Sequence, residues 1–151
     1  NSSKCYLAVW NDRIVGFSSS MPLPGWTPPL YEGDKRLKWR EARTVILPDF
    51  QGLGIGTRLS DAVADIHIEN KVRYYSKTSH IRMGMYRQSS PLWRASATNL
   101  QDRSNDKYSY KERLIPLEIN RICYSHEYIG ENRKSYDPKY NREDDKQINL
   151  F

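Results

Sequence analysis

The chain has little cysteine. Of 151 residues only Cys5 and Cys123 are cysteine, far apart, with no CxxC spacing and no Cys/His cluster, which excludes a zinc ribbon and a disulfide framework. His67, His80 and His126 are scattered, so no metal site is expected. Long apolar runs are missing too. No stretch approaches the roughly 18 residues of a membrane span, and the opening NSSKCYLAVW lacks a basic region leading into a signal-type apolar segment. A reducing, cytoplasmic setting without membrane attachment is the expectation. Apolar residues make up only 38% and mean hydropathy is −0.82, yet 11 Tyr and 4 Trp exclude a wholly disordered chain. The length suits one domain with a buried core, here bounded at 1–130 with a polar, charge-balanced tail over 131–151.

The formal charge of +6 is unevenly spread. Residues 1–70 carry 8 basic and 8 acidic side chains, 71–113 carry 10 and 3, and 114–151 carry 6 and 7. A basic block of this kind suits a nucleic acid or a polyphosphate-bearing cofactor, and equally a solvated basic face.

Cys5 to Trp10 and Arg13 to Ser19 flank Asn11-Asp12 and read as a β-hairpin. Met21 to Trp39, with four prolines and two glycines, reads as an excursion loop whose two Trp either pack on the surface or line a pocket. Glu41 to Leu47 is β-branched and apolar, a strand stopped by Pro48-Asp49. Leu59, Val63 and Ile66 recur at helical spacing, with Arg58, Asp61, Asp65 and Glu69 on a wetter face, so a helix starts within the preceding glycine run and ends near Asn70-Lys71. Val72 to Thr78 is a strand, Ile81 to Gln88 a short helix weakened by Gly84, and Ala95 to Tyr110 a polar loop. Leu114 to Ile119 and Arg121 to Tyr128 complete the strands. A strand-loop-helix-strand unit is a right-handed crossover. The fold class is therefore α+β, a mixed and mostly antiparallel sheet whose strands flanking the helix run parallel.

The segment that carries chemistry is Gln51-Gly52-Leu53-Gly54-Ile55-Gly56-Thr57-Arg58. Alternating glycines let the backbone turn and approach a ligand, and the first N–H groups of the following helix lack intrahelical acceptors. With the positive end of the helix dipole behind them they form a cradle for a diphosphate. A ligand-free glycine turn is the plain alternative. A Walker A loop requires GK[ST], and Gly56 is followed by Thr57-Arg58; a dinucleotide fingerprint requires GxGxxG, and the order here is GxGxG.

Gln51 to Gly56 resembles, position for position, the [QR]xxGxG loop of the GNAT N-acetyltransferases. Val45-Ile46-Leu47-Pro48-Asp49-Phe50 is similar to the strand and Pro-acidic-aromatic turn that lead into that loop. The resemblance spans roughly Cys5 to Arg94 in element order. RTVILPDFQGLGIG with SKTSHIRMGMYRQSSPLWR further resembles a subgroup found in phage-like settings and beside ABC-type ATPases.

The resemblance implies an acetyltransferase using acetyl-CoA as co-substrate, with an amine of a small molecule or macromolecule as acceptor and no metal. Pantetheine would bond the free strand edge at Ile46 and Leu47. The backbone of Gly52, Leu53, Gly54, Ile55, Gly56, Thr57 and Arg58 would hold the diphosphate, with Gln51 adding a hydrogen bond. Tyr86 matches the family's proton donor, and Glu41 or His80 stands where a general base is expected. The family's opening strand and two helices have no counterpart before the hairpin, and the edge left bare could pair in a homodimer. The competing reading is a non-catalytic CoA- or nucleic-acid-binding module gripping phosphates through Arg73, Lys77, Arg82, Arg87, Arg94 and Arg103.

Overall fold

A computed structural model of the chain describes residues 3–25, 37–102 and 122–131. It contains strands β1 (Lys4–Trp10), β2 (Arg13–Pro22) and β3 (Lys38–Ile46), a 3₁₀ turn at Pro48–Phe50 and helix α1 (Ile55–Glu69). Strand β4 (Arg73–Thr78), helix α2 (Ile81–Ser89) and strands β5 (Trp93–Ala95), β6 (Gln101–Asp102) and β7 (Ile122–Tyr128) follow. Among the described residues the sheet order is β1-β2-β3-β4-β7-β5, with β6 also on β7. Every pairing is antiparallel except β3 with β4. The α+β mixed sheet expected from the sequence is the fold observed.

Asn11 and Asp12 both take positive φ, 47° and 60°, the twist a two-residue hairpin turn requires and that these side chains tolerate. The hairpin is longer than its sequence signal. β2 continues through Met21 to Pro22 and β3 starts at Lys38, so the expected loop at Met21 to Trp39 gives up both ends to strands; Met21 pairs with Arg40 and Pro22 with Trp39. Residues 26–36 lie outside the described residues, as do 103–121, which include the strand expected at Leu114 to Ile119, and most of the expected tail.

Helix α1 matches its expected span, but its buried face is not the aliphatic one. Ser60, Val63, Ala64 and His67 are buried at i, i+3, i+4 and i+7, while Ile66 is 39% exposed. The buried polar groups are bonded. Ser60 accepts from Arg87, His67 Nε2 meets Ser20 Oγ at 3.2 Å, and His67 Nδ1 lies 2.8 Å from the Val63 carbonyl. The wetter face is as expected, with Arg58, Asp65 and Glu69 exposed and Asp61 half-buried, though Asp61 accepts hydrogen bonds from Tyr86 and Trp93 and Asp65 one from Tyr128. Hydropathy alone turned the helix by about one residue because it cannot see these partners.

Aromatic rings supply most of the core. Tyr74, Trp93 and Tyr128 are buried with Val63 and Ala64, and ring contacts run from Tyr6 through His67, Tyr74 and Trp93 to Tyr128. Both helices cover one face of the sheet. Tyr128 reaches Asp65 of α1, and Tyr124, on the same side by strand alternation, lies against Gly84 of α2. A side chain on Gly84 would meet the Tyr124 ring at 2.1 Å, so the residue that weakens the helix by propensity permits its docking.

Candidate active site

The parallel pairing of β3 with β4 covers only Lys38, Trp39 and Arg40 against Arg73, Tyr74 and Tyr75. Beyond that point the strands part, and a cleft of about 1000 Å³ opens, lined by β3 from Glu41 to Ile46, by the glycine loop, by Ser76 to Thr78 and by the start of α2. The rim is backbone. Gly52 and Gly54 have φ of 83° and 75°, left-handed values that favour glycine, and a Cβ at either would meet open space. The first α1 amide with an intrahelical acceptor is Arg58, on the Gly54 carbonyl at 3.3 Å, so the amides of Ile55, Gly56 and Thr57 stand at the bare helix mouth. At Gly56 a Cβ would make only ordinary contacts, 3.5 Å from Ile46 and 3.8 Å from Met83, so the fold itself does not demand glycine there. These are features that accept a diphosphate: open amides, the positive helix end and, among the described residues that line the cleft, no carboxylate except Glu41 at its inner end.

The residues named from the sequence are distributed unevenly. Gln51, Gly52, Gly54, Ile55, Gly56 and Thr57 line the cleft; Leu53, 66% exposed, and Arg58 do not. Ile46 lines it, whereas Leu47 turns away, its amide bonded to the Val15 carbonyl at 2.9 Å. By alternation the backbone groups of Thr44 and Ile46 then face the parted edge. Gln51 Nε2 donates to the Ile46 carbonyl at 2.8 Å, so its amide braces the root of the cleft.

Alternation along β3 leaves the direction of Glu41 open, and a bulge settles it. The β2/β3 register shifts between Ser19↔Arg43 and Ser20↔Glu41, so Glu41 joins Thr44 on the helix-covered face instead of opposing it. Its carboxylate lies at the inner end of the cleft, accepting from Thr44 Oγ1, from Ser76 Oγ at 2.6 Å and from Arg87 Nη2. Arg87 is 1% exposed, donates also to Ser76 and Ser60, and stacks 4.6 Å from the Trp93 ring centre. Sequence reasoning placed Arg87 in a phosphate-binding set. Its position in α2, whose contacts with β3 and α1 are long-range, gave no sign of this pairing.

Tyr86 donates its hydroxyl to Asp61, which also accepts from Trp93 Nε1 at 2.7 Å, and Tyr86 is not among the residues lining the cleft. Burial, then the Asp61 carboxylate, hold the Tyr86 hydroxyl above its ordinary pKa; burial outweighs the Tyr86 and Trp93 hydrogen bonds and raises Asp61 too. His80 lines the cleft and caps α2, its Nδ1 accepting the Met83 amide at 3.3 Å. Of the basic set, Arg73 and Arg94 both bond Glu127, at 2.7 and 2.8 Å, and Arg103 lies outside the described residues. Lys77 and Arg82 remain of that set as exposed cations on the cleft, joined there by Arg43, which was not part of it. Among the described residues, no helix is long and apolar enough to cross a membrane.

Comparison with solved structures finds the same architecture. A GNAT family acetyltransferase from Elizabethkingia anophelis with acetyl-CoA bound is 17% identical, with 84% of this chain and 76% of that one covered and a TM-score of 0.53. A Bacillus subtilis acetyltransferase in complex with CoA is 15% identical, with 83% and 76% covered and a TM-score of 0.53. No curated protein matches the chain in sequence. The model of the Acetyltransferase (GNAT) family matches residues 1–89, from the hairpin through the parted strands and glycine loop to the end of α2, and the chain belongs to that family.

Proposed function

We propose that the protein transfers an acetyl group from acetyl-CoA to the amine of an acceptor. The observation that carries the reading is the parting of β3 and β4 immediately beside a glycine-bared helix mouth, with a carboxylate at the inner end of the same cleft. Amides of Ile55, Gly56 and Thr57 would hold the diphosphate. The Thr44 and Ile46 edge would take the pantetheine amides, and Arg43, Lys77 and Arg82 add attraction for a polyanion. Acetyl-CoA supplies the thioester.

The chain's contribution is positioning and proton handling. As the amine attacks the carbonyl, a C–N bond forms and the C–S bond breaks. Glu41, directly or through a water, takes the amine proton, and the leaving sulfur ends as a thiolate or gains a proton. A thiol's ordinary pKa of about 8.5 makes the thiolate a tolerable leaving group, which gives Tyr86 a small share as acid, and only after it releases Asp61.

The test is calorimetric titration with acetyl-CoA together with free-thiol release over a panel of amines, polyamines and peptides. Binding and acceptor-dependent thiol release are expected, with Gly54→Asp abolishing both by placing a carboxylate at the diphosphate position. No binding by the wild type, or an unaffected Gly54→Asp, refutes the proposal.

A further inference from the structure

Glu41 occupies an unusual place for a working carboxylate. It is the first β3 residue beyond the last β3–β4 pair, Arg40↔Tyr75, and Ser76 is its counterpart on β4. Where the backbone ladder stops, side chains continue the connection: the Ser76 hydroxyl donates to Glu41 Oε2 across the gap, and Arg87 donates to both. The strand bearing Glu41 is held from the other side by β2 alone, and at a bulge, where a side chain's direction is set by local twist. A carboxylate on such a strand needs an outside restraint.

Arg87 is built as that restraint. Its guanidinium is fixed by four features besides Glu41: the hydroxyls of Ser76 and Ser60, the face of Trp93, and burial that leaves it 1% exposed. Trp93 is held in turn by its indole N–H on Asp61. The Nε–H has no partner among the described residues, so the hydrogen bonds that hold the group all run through its two Nη atoms, toward Glu41, Ser76 and Ser60. A buried ion pair adds little stability over well-packed apolar side chains, and here it sits on the wall of the cleft at the base of the transfer site, where the direction of one carboxylate matters.

Resting on the acetyl-transfer reading above, we infer that Arg87 is the positioning residue for Glu41. It aims the carboxylate into the parted strands and acts on the reaction only through it. The two Nη groups hold Ser76 and Glu41 at once, one each, and a lysine is a poor substitute because a point charge fixes distance without direction.

The experiment is a double-substitution cycle with Glu41→Gln and Arg87→Met, read as thiol release from acetyl-CoA with excess glycinamide as the amine probe, beside calorimetric acetyl-CoA binding. Glu41→Gln is expected to lower kcat about a hundredfold and Arg87→Met at least tenfold, each with acetyl-CoA affinity within about threefold of wild type. The double variant should be no slower than Glu41→Gln alone, with Arg87→Lys recovering part of the loss. Losses that multiply in the double variant overturn the inference, since Arg87 would then act independently of Glu41. If Arg87→Met does not fold, Arg87→Lys takes its place in the cycle with the same criterion. Wild-type protein that binds acetyl-CoA but releases no thiol with glycinamide or with any amine, polyamine or peptide of the panel above defeats the transfer reading itself, and Arg87's role falls with it.

Discussion

The cleft has two ends built on different principles. The mouth of α1 is made by neighbours in sequence: left-handed glycines, bare amides and space that an added Cβ leaves free. The floor, where β3 and β4 part, is made by residues far apart, Glu41 with Ser76 and Arg87, and Ser60 with Arg87. The difference teaches where each kind of damage should appear. Changes at the mouth should cost binding and little stability; changes at the floor or behind it should cost stability first.

The sharpest contrast is between two glycines. Gly84→Ala would ordinarily stabilise a helix by about 1 kcal/mol. Here the new Cβ would fall within 2.1–2.7 Å of three atoms of the Tyr124 ring, at its root and not at a flexible tip, so α2 or the ring must move. Overpacking of about 3 kcal/mol wins, and urea unfolding should show a net loss of about 2 kcal/mol. At the mouth, Gly54→Ala adds a methyl to open space and pays only for the left-handed φ, about 1 kcal/mol, with no clash. Equal losses at the two glycines would erase the distinction between the ends.

The second contrast is with acid. Behind the floor, burial works against the charge of Glu127, but the hydrogen bonds and charges of Arg73 and Arg94 outweigh it and hold the carboxyl below its usual range. His126, buried and beside Arg87, is lowered to about 4. The signs agree. A depressed histidine binds its proton more weakly folded than unfolded, so stability falls as pH drops from about 6.5 towards about 4; Glu127's contribution, present above the unfolded carboxylate range, is lost at still lower pH. His126→Gln should flatten the upper part of the stability–pH curve, and Glu127→Gln the lower part. Neither titration involves the α1 mouth, so Gly54→Ala should leave the shape of the curve unchanged.

This division also explains what the sequence disclosed. The hairpin, the crossover, the limits of α1 and the glycine loop are encoded by residues within a few positions of one another, as with Asn11-Asp12 and Gln51 to Gly56. Glu41's direction depended on a bulge defined by the β2 partner strand, and Arg87's role on contacts 27 and 46 residues away. A buried arginine is conspicuous in space and ordinary in sequence, one of ten basic residues in its stretch. The buried stripe of α1 misled for the same reason, since Ser60 and His67 owe their burial to distant partners.

The smallest expected effect falls between the two ends. Tyr86 bridges α2 to α1 through Asp61, and its side chain stands off the cleft. Tyr86→Phe removes one donor from a carboxylate that keeps Trp93 Nε1 at 2.7 Å, in a half-exposed setting where water can replace the lost bond. A loss of about 1 kcal/mol is expected by urea unfolding, from the hydroxyl alone. Thiol release should stay within about threefold of wild type, because a thiolate leaves without an obligatory acid and the hydroxyl is already engaged. A fall of tenfold or more at unchanged acetyl-CoA affinity would place Tyr86 at the reacting atoms, and would mean that α2 shifts on cofactor binding far enough to carry the hydroxyl from Asp61 into the cleft.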